Sequence, residues 1–249
     1  MSDLEKRLEA QMRELKLSNI VGCYRDFAEK AAKNNLSYEE FLSLLLEEEL
    51  HNKRERSVAA KRSKAKFPFL KTIDGFDLSF QPSLREKELL RLSSLDFIEK
   101  KENLVFLGPP GVGKTHLAVG FGVKACSAKY RVLFMTAQNL IEDLMISVKD
   151  GSITSKLLMY SRLHLLIIDE LGYMPITKEQ ANLLFQLVSM RYEKGSVILT
   201  SNYGFDDWGQ VFQDNVVATA IIDRIVHHAE IFYINGASYR LRNKINKNN

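Results

Sequence analysis

Apolar residues recur at helical spacing through the N-terminal part of the chain. Residues three or four positions apart form two consecutive sets: Leu4, Leu8, Met12 and Leu15, then Ile20, Val21, Tyr24, Phe27, Ala28 and Ala31. This spacing places apolar side chains on one face of a helix, so each set predicts an amphipathic helix. Ser37 to Glu40 form a capping-box pattern before another apolar run, which predicts that a third helix starts there.

From about residue 72 onward, short apolar runs alternate with amphipathic stretches. The runs are predicted strands: 104–107, 132–136, 165–169, 197–201 and 231–234. Helices are predicted between them, around 115–129, 138–149, 178–193 and 214–228. Continuous Val, Ile and Leu runs joined by helices are typical of parallel strands buried on both faces. The pattern therefore predicts an α/β three-layer core with a parallel sheet over residues 72–249, preceded by a small all-α domain over residues 1–71.

Composition narrows the class of protein. The 249 residues are 45% hydrophobic, which suffices for a sizeable core. The two cysteines, Cys23 and Cys126, suggest neither a disulfide framework nor a zinc site. No apolar run is long enough to span a bilayer and no signal-peptide pattern occurs, so we expect a cytoplasmic protein with no membrane partner. The five histidines do not show the sequence spacing that is typical of metal ligands. Packing or surface roles are therefore expected for His51, His116, His164, His227 and His228.

Residues 108–115 read Gly-Pro-Pro-Gly-Val-Gly-Lys-Thr, a complete phosphate-binding loop between an apolar strand and a helix. Glycines let backbone N–H groups approach phosphates, Lys114 neutralises the β- and γ-phosphates, and the Thr115 hydroxyl ligates Mg²⁺. The alternative, a glycine-rich turn that matches by chance, is disfavoured by the flanking strand and helix. The loop predicts binding of a nucleoside triphosphate, with these contacting residues: Gly108, Pro109, Pro110, Gly111, Val112, Gly113, Lys114, Thr115 and His116.

Polar residues follow two other predicted strands. Asp169 and Glu170 end the run that starts at Leu165, and the carboxyl ends of such strands line the ligand crevice. Asp169 is predicted to hold Mg²⁺ through water, and Glu170 to orient and deprotonate the attacking water; the alternative is a pair of acids that cap a loop. Asn202, after the next strand, is predicted to contact both the γ-phosphate and that water. Its alternative is an Asn favoured by the turn that follows.

Phosphoryl transfer also calls for an arginine that stabilises transition-state charge, often from a second subunit. Arg224 lies on an otherwise apolar helix before the last predicted strand, where an internal ion pair with Asp223 is the alternative. Arg191 and Arg240 are competing candidates, and spacing alone does not rank the three.

Positive charge is concentrated in one segment. Residues 51–71 carry eight basic residues and one acid, a local charge of +7 in a chain whose net charge is +4. On a helix, most of these cations fall within an arc of about 160°, a face suited to DNA phosphates. The alternatives are a solvated helix or a charged linker. The predicted DNA-contacting residues are Lys53, Arg54, Arg56, Lys61, Arg62 and Lys64.

Taken together, these segments resemble the IstB-type transposition helper ATPases, which are relatives of the DnaC-type helicase loaders in the AAA+ superfamily. The resemblance covers nearly the whole chain. It includes residues 108–117, 165–173, 184–193, 198–202, 207–209 and 238–242.

The resemblance implies an AAA+ P-loop fold in which ATP and Mg²⁺ lie between subunits of a ring or spiral homo-oligomer. Asp169 and Glu170 match the Walker B pair, Asn202 matches sensor 1, and Arg224 matches the arginine finger, ahead of Arg191. The implied catalytic residues are therefore Lys114, Glu170, Asn202 and Arg224. Arg240 lies where a sensor 2 arginine is sought, but no helical lid domain follows it.

The function implied by the resemblance is ATP-driven assembly on duplex DNA, with recruitment and stimulation of a partner transposase and disassembly by ATP hydrolysis. Such a protein would act in the bacterial cytoplasm and associate with the nucleoid when bound to DNA. The nearest alternative is a DnaC-like replicative helicase loader. A small-molecule kinase is disfavoured by Asn202, Arg224 and the basic segment, and a scaffold that binds ATP without turnover is disfavoured by intact Lys114 and Glu170.

Overall fold

A computed structural model describes residues 1–239, apart from the side chain of Phe80. The chain divides into two compact units, Met1–Ala60 and the residues from Lys61 onward. The domain boundary expected after residue 71 stays a prediction. Within residues 1–239, no helix is both long enough and apolar enough to cross a membrane.

The first unit is helical, as the apolar spacing predicts. It contains α1 (Asp3–Glu14), α2 (Ser18–Lys33) and most of α3 (Tyr38–Lys64), which runs past Ala60 and covers residues 51–64 of the basic segment. The capping box before α3 is present: the Ser37 N–H donates to Glu40 at 2.7 Å, and the Glu40 N–H donates to the Ser37 hydroxyl at 3.2 Å. Ile20, Tyr24 and Leu45 form the small apolar core of this unit.

Helix α2 is capped by a side chain from α3. Its own N-cap residue, Leu17, supplies no side-chain hydrogen bond. Instead Glu49, which is 2% exposed, accepts hydrogen bonds from the backbone N–H groups of Asn19 and Ile20 at 3.0 and 3.2 Å. The first N–H groups of a helix have no partner within the helix, so Glu49 satisfies donors that would otherwise be buried without an acceptor.

The second unit contains a five-stranded sheet whose neighbouring strands are all parallel. Its strands are β1 (Asn103–Leu107), β2 (Val132–Thr136), β3 (Leu165–Leu171), β4 (Ser196–Ser201) and β5 (Ala229–Tyr233). They are arranged in the order β2-β3-β4-β1-β5. The predicted parallel sheet is confirmed, and β1 and β3 both lie next to β4, which brings the carboxyl ends of these three strands together.

Helices cover both faces of this sheet. They are α4 (Glu86–Leu92), α5 (Asp96–Glu99), α6 (Lys114–Ser127), α7 (Ala137–Lys149), α8 (Ile153–Ser161), α9 (Lys178–Arg191), α10 (Trp208–Phe212) and α11 (Asn215–Val226). Val105 and Leu107 of β1 pack with residues of α7, α9 and α11, whereas Leu104 and Phe106 pack with residues of α6. Side chains that alternate between two apolar clusters confirm the three-layer α/β core. The short helices α4, α5, α8 and α10 were not predicted, because each is too brief to show a clear period.

Strand β3 continues two residues beyond the predicted end at residue 169. Ile168 pairs with Leu199 and Leu171 pairs with Ser201, so two residues of β3 face the single residue Thr200 of β4. This register shift is a β-bulge, a local irregularity that can aim a side chain out of the regular sheet pattern. The bulge therefore contains Asp169 and Glu170, the two predicted site carboxylates.

Candidate nucleotide-binding site

The phosphate-binding loop joins β1 to α6, and its glycines are required by its backbone. Gly108 has a φ of 145°, and a Cβ atom there would lie 2.1 Å from the carbonyl oxygen of Ile234. Gly113, which precedes α6, has a φ of 103°, and a Cβ there would lie 2.5 Å from the ring of Phe76. Only glycine adopts such angles readily. The loop therefore packs closely against both the end of β5 and the segment before α4.

Lys114 is the first residue of α6 and is 7% exposed. Its Nζ atom donates hydrogen bonds to the carbonyl oxygens of Gly108 at 2.6 Å and Pro109 at 2.8 Å. The ammonium group thus lies over the opening of its own loop, where the resemblance requires it to meet phosphate.

Three side chains from three elements form one hydrogen-bonded cluster at the carboxyl end of the sheet. Thr115 of α6 donates to the Asp169 carboxylate at 2.9 and 3.1 Å, and Thr200 of β4 donates to it at 2.5 Å. Asp169 is 3% exposed. Burial raises the pKa of its carboxyl group, while the hydrogen bonds from Thr200 and Thr115 oppose that shift. A carboxylate beside a hydroxyl is a donor set that suits Mg²⁺.

The bulge in β3 exposes the second acid. Glu170 has a φ of 61°, and its N–H donates to the Thr200 hydroxyl at 2.9 Å. One hydroxyl therefore binds both Asp169 and the backbone of Glu170, so the two acids have different environments: one buried and one exposed. Thr200 was not predicted as a site residue, because a threonine within a buried strand is common. The only sequence signal was its place two residues before Asn202, near the end of the predicted strand 197–201.

These residues surround a pocket of about 620 Å³. The predicted residues that line it are Pro110, Gly111, Val112, Gly113, Lys114, Thr115, His116, Asp169, Glu170 and Asn202. Gly108 and Pro109 lie at the start of the loop and contact Lys114 instead. The structure thus brings the loop, both acids and Asn202, which directly follows β4, to one cavity.

The pocket has a second wall that was not predicted. It includes Pro68, Phe69, Lys71, Gly75, Phe76, Asp77 and Gln81, together with Phe134, Thr136, Tyr173, Thr200 and Tyr239. His116 fixes part of this wall: its Nε2 lies 3.0 Å from the carbonyl oxygen of Thr72, and its ring meets that of Phe76 edge-on at 5.2 Å. Burial lowers the pKa of His116. Residues 68–81 show no regular apolar period in the sequence, so this wall was not predictable from it.

Two of the three arginine candidates, Arg224 and Arg191, lie in different environments. Arg224 is absent from the pocket lining; its guanidinium lies 4.5 Å from the ring centroid of Phe185 and donates to the Ala220 carbonyl at 3.2 Å. Arg191 is 1% exposed and its guanidinium donates to three carbonyl oxygens, those of Tyr160, Leu163 and Ser196, at 2.6, 3.1 and 2.6 Å. Burial lowers the pKa of Arg191 to about 10. Arg191 therefore holds the fold together internally, and Arg240 lies outside the described residues.

The predicted DNA-contacting residues all lie on α3. Lys53, Arg54, Arg56 and Lys64 are exposed, whereas Lys61 and Arg62 are half-buried. Arg62 donates to the hydroxyl of Ser127 at 2.9 Å. DNA contact by these residues stays a prediction, and Arg62 already has a partner within the second unit.

Comparisons with known proteins agree with this geometry. The family model of the IstB-like ATP binding protein matches residues 10–247. A relative from Pseudomonas aeruginosa, named as an ATP-binding protein of insertion sequence IS21, is 44% identical over 237 residues, which are 95% of this chain and 89% of the relative. A second, from Geobacillus stearothermophilus and named for insertion sequence IS5376, is 42% identical over 97% of this chain and 96% of its own length.

Solved structures show the same fold. The DnaC helicase loader is 25% identical with a TM-score of 0.51, covering 60% of this chain and 87% of that chain. DnaI is 21% identical with a TM-score of 0.54, covering 66% and 91%. The core is thus an AAA+ P-loop fold. With the phosphate loop, the paired acids and a family match along nearly its whole length, the chain belongs to the family of IstB-like ATP binding proteins.

Proposed function

We propose that this chain is an Mg²⁺-dependent ATPase that assembles on duplex DNA, recruits and stimulates a partner transposase, and is disassembled when ATP is hydrolysed. The observation that carries the ATPase part is the cluster of Thr115, Asp169 and Thr200 beside the exposed Glu170 at the mouth of the phosphate loop. The transposition part is supported by relatives that are named for insertion sequences.

The residues present fit ATP with Mg²⁺. Thr115 would ligate the ion and Asp169 would hold it through water, since the two side chains already lie side by side, 2.9 Å apart between oxygen atoms. When bound, the ion neutralises charge on the β- and γ-phosphates. Lys114 would exchange its two carbonyl partners for phosphate oxygens, and the N–H groups at the start of α6 would add further donors.

The exposed Glu170 and the half-buried Asn202 would act on a water molecule. Glu170 would accept its proton, because an exposed carboxylate at the pocket wall can act as a general base. Asn202, directly after β4, would orient the water against the γ-phosphate. Thr200 connects Glu170 to Asn202, since its hydroxyl accepts a hydrogen bond from the backbone of Glu170 and it lies two residues before Asn202.

An arginine from a second copy would complete the site. Arg224 does not line the pocket of its own chain and is partly exposed, so it is available to a neighbouring subunit. Arg191 has no comparable freedom. This supports a homo-oligomer in which each nucleotide lies between subunits, as the resemblance implies.

The decisive experiment measures ATP hydrolysis, with and without duplex DNA and the partner transposase, for variants of two site residues. Lys114→Ala should lose nucleotide binding, whereas Glu170→Gln should bind ATP, hydrolyse it about 100- to 10,000-fold more slowly, and remain assembled on DNA. Lys124→Ala is the matched control, because Lys124 lies exposed on the same helix away from the pocket. Hydrolysis by Glu170→Gln at the parent rate would contradict the assignment.

DNA binding is tested by the salt dependence of affinity for a random duplex. Changing Lys53, Arg54 and Arg56 to glutamine should weaken binding and flatten the salt slope, because fewer phosphate counterions are released. The matched control changes three cations of α1, Lys6, Arg7 and Arg13, and should leave the slope unchanged. An unaltered dependence of affinity on salt in the Lys53, Arg54, Arg56 variant would mean that these residues form an ordinary solvated surface that does not contact DNA phosphates.

A second candidate function is loading of a replicative helicase, which the fold likeness to the DnaC helicase loader favours. The two functions differ in the partner protein that changes the rate of ATP hydrolysis. Stimulation of strand transfer by a transposase supports the first, and delivery of a ring helicase onto DNA supports the second.

A further inference from the structure

Two neighbouring histidines meet a glutamate at the opposite end of the sheet from the phosphate loop. His227 directly follows α11, His228 precedes β5, and Glu193 lies in the turn between α9 and β4. Within residues 1–239, these three form a group in which one donor atom of each lies within 4.8 Å of the others. All three side chains are exposed, and none of them lines the nucleotide pocket.

Local contacts already orient the donor atoms toward one another. His228 Nε2 lies 3.2 Å from Glu193 Oε1, and the two imidazole rings are 4.2 Å apart between centroids. The Tyr192 hydroxyl hydrogen-bonds to Nδ1 of His227, and the two rings stack at 5.9 Å. A partner on one ring nitrogen fixes the orientation of an imidazole and leaves the other nitrogen available to a metal ion.

The backbone beneath these side chains is held by the core. The carbonyl of Arg191 accepts hydrogen bonds from the N–H groups of Lys194 and Gly195 at 2.8 and 3.0 Å, which closes the turn that contains Glu193. On the other side, the His228 carbonyl accepts from the Asn103 N–H at 2.7 Å. Because both segments are anchored, binding an ion would need only side-chain rotations.

We propose that Glu193, His227 and His228 form a binding site for a divalent transition-metal ion, for which zinc is the best match. Two imidazoles and one carboxylate are a common zinc donor set, with one position left for water. Metal–ligand distances of about 2.0–2.2 Å place the donor atoms of a tetrahedral site roughly 3.3–3.6 Å apart. His228 Nε2 and Glu193 Oε1 are already 3.2 Å apart and all three donor atoms lie within 4.8 Å of one another, so small rotations would bring them around the ion in place of the His228–Glu193 hydrogen bond.

Such an ion would clamp two segments that are far apart in sequence. It would join the turn after α9 to the end of α11, and Arg224 lies on α11 three residues before His227. The site is independent of the proposed ATPase activity, since it shares no residue with the nucleotide pocket. Its expected effect is to stabilise the fold around α11.

The test uses the full chain without nucleotide, treated with chelator and then titrated with Zn²⁺ by calorimetry and with Co²⁺ by visible absorption. The parent should bind one Zn²⁺ per chain, and Co²⁺ should give the intense visible bands of tetrahedral coordination. His227→Ala, His228→Ala and Glu193→Gln should each bind Zn²⁺ at least 10-fold more weakly. His51→Ala, which removes an exposed histidine of the first unit, and Asp169→Asn, which alters the nucleotide site, should bind as the parent does.

Thermal unfolding provides a second readout that does not depend on any activity. A hundredfold excess of Zn²⁺ over the dissociation constant should raise the Tm of the parent by about 5 °C and leave that of the His227→Ala, His228→Ala double variant unchanged. Equal binding by the parent and the double variant, no binding by the parent, or loss of binding in Asp169→Asn would each overturn the site.

Discussion

One hydroxyl group, that of Thr200, contacts both acidic residues of the candidate site. It donates to the Asp169 carboxylate at 2.5 Å and accepts from the Glu170 N–H at 2.9 Å. The sequence predicts the two acids because adjacent carboxylates after a buried strand are distinctive. It does not predict Thr200, since nothing in a strand pattern reveals that a bulge will turn one residue of β3 outward.

Replacing Thr200 tests that arrangement. Thr200→Val keeps the shape of the side chain and removes the hydroxyl, so ATP should still bind while the rate of hydrolysis falls about 10- to 100-fold. Thr200→Ser keeps the hydroxyl and should restore most of the rate. The measurements are kcat and the dissociation constant of ATP. A Thr200→Val protein that turns over as fast as the parent would show that the hydroxyl does not position Glu170.

The buried carboxyl of Asp169 also predicts a pH effect on stability. Burial raises its pKa in the folded chain. An acid with a raised folded-state pKa stabilises the fold only while protonated, so stability is lost as pH rises through that pKa. Without nucleotide or metal, Asp169→Asn should therefore have a higher Tm than the parent at pH 7.

The gain in Tm for Asp169→Asn should shrink as pH is lowered toward 3.8, the ordinary pKa of the group. Circular dichroism melts across the acidic to neutral range measure this difference. Asp206→Asn, at an exposed position, is the matched control. A Tm difference that does not change with pH would rule out ionisation of Asp169 as its cause.

At the scale of elements, apolar periodicity predicts the long helices and the strands but not how their ends are satisfied. Helix α2 starts at Ser18 with no cap of its own, and Glu49 of α3 supplies the missing acceptor. Capping patterns are local in sequence, whereas Glu49 lies about 30 residues from the N–H groups it binds. The sequence could therefore predict the capping box of α3 and not this contact.

Removing that contact should loosen α2. Glu49→Ala leaves two buried N–H groups without an acceptor, and we expect a loss of about 1–2 kcal/mol in the free energy of unfolding of the helices around it. Hydrogen exchange of the Asn19 and Ile20 amides in the full chain measures this directly. Glu47→Ala, at an exposed position of the same helix, is the control. Unchanged exchange rates at these two amides would mean that α2 does not depend on the cap.

For the whole molecule, the sequence predicts the fold class and the wall of the pocket formed by the phosphate loop and the two acids. The second wall of the pocket and the burial of Arg191 emerge only from tertiary structure. Residues 68–81 have no regular period, so their place beside the loop could not be predicted. Arg224 lies away from the pocket of its own chain, so the role proposed for this arginine requires a second copy of the chain.

Mixing two inactive proteins tests that requirement. Arg224→Ala and Lys114→Ala chains should each be inactive, but in a one-to-one mixture about one quarter of head-to-tail interfaces would combine an intact loop with an intact arginine. The mixture should recover roughly that share of the parent ATPase rate. Mixing Arg224→Ala with a Lys114→Ala, Arg224→Ala double variant is the control and should recover none. Equal rates in the two mixtures would exclude an arginine supplied between subunits.

The burial of Arg191 has a consequence for genetic screens of this protein. Its guanidinium joins the end of α8, the turn before β3 and the start of β4 through carbonyl oxygens, and it has no carboxylate partner within residues 1–239. Substitutions there would be recovered among loss-of-function alleles beside those of Arg224 and would look catalytic in a plate assay. Immunoblots of cell extracts would distinguish the two classes by protein abundance. Arg191 variants would be depleted, whereas Arg224 variants would accumulate to the normal level.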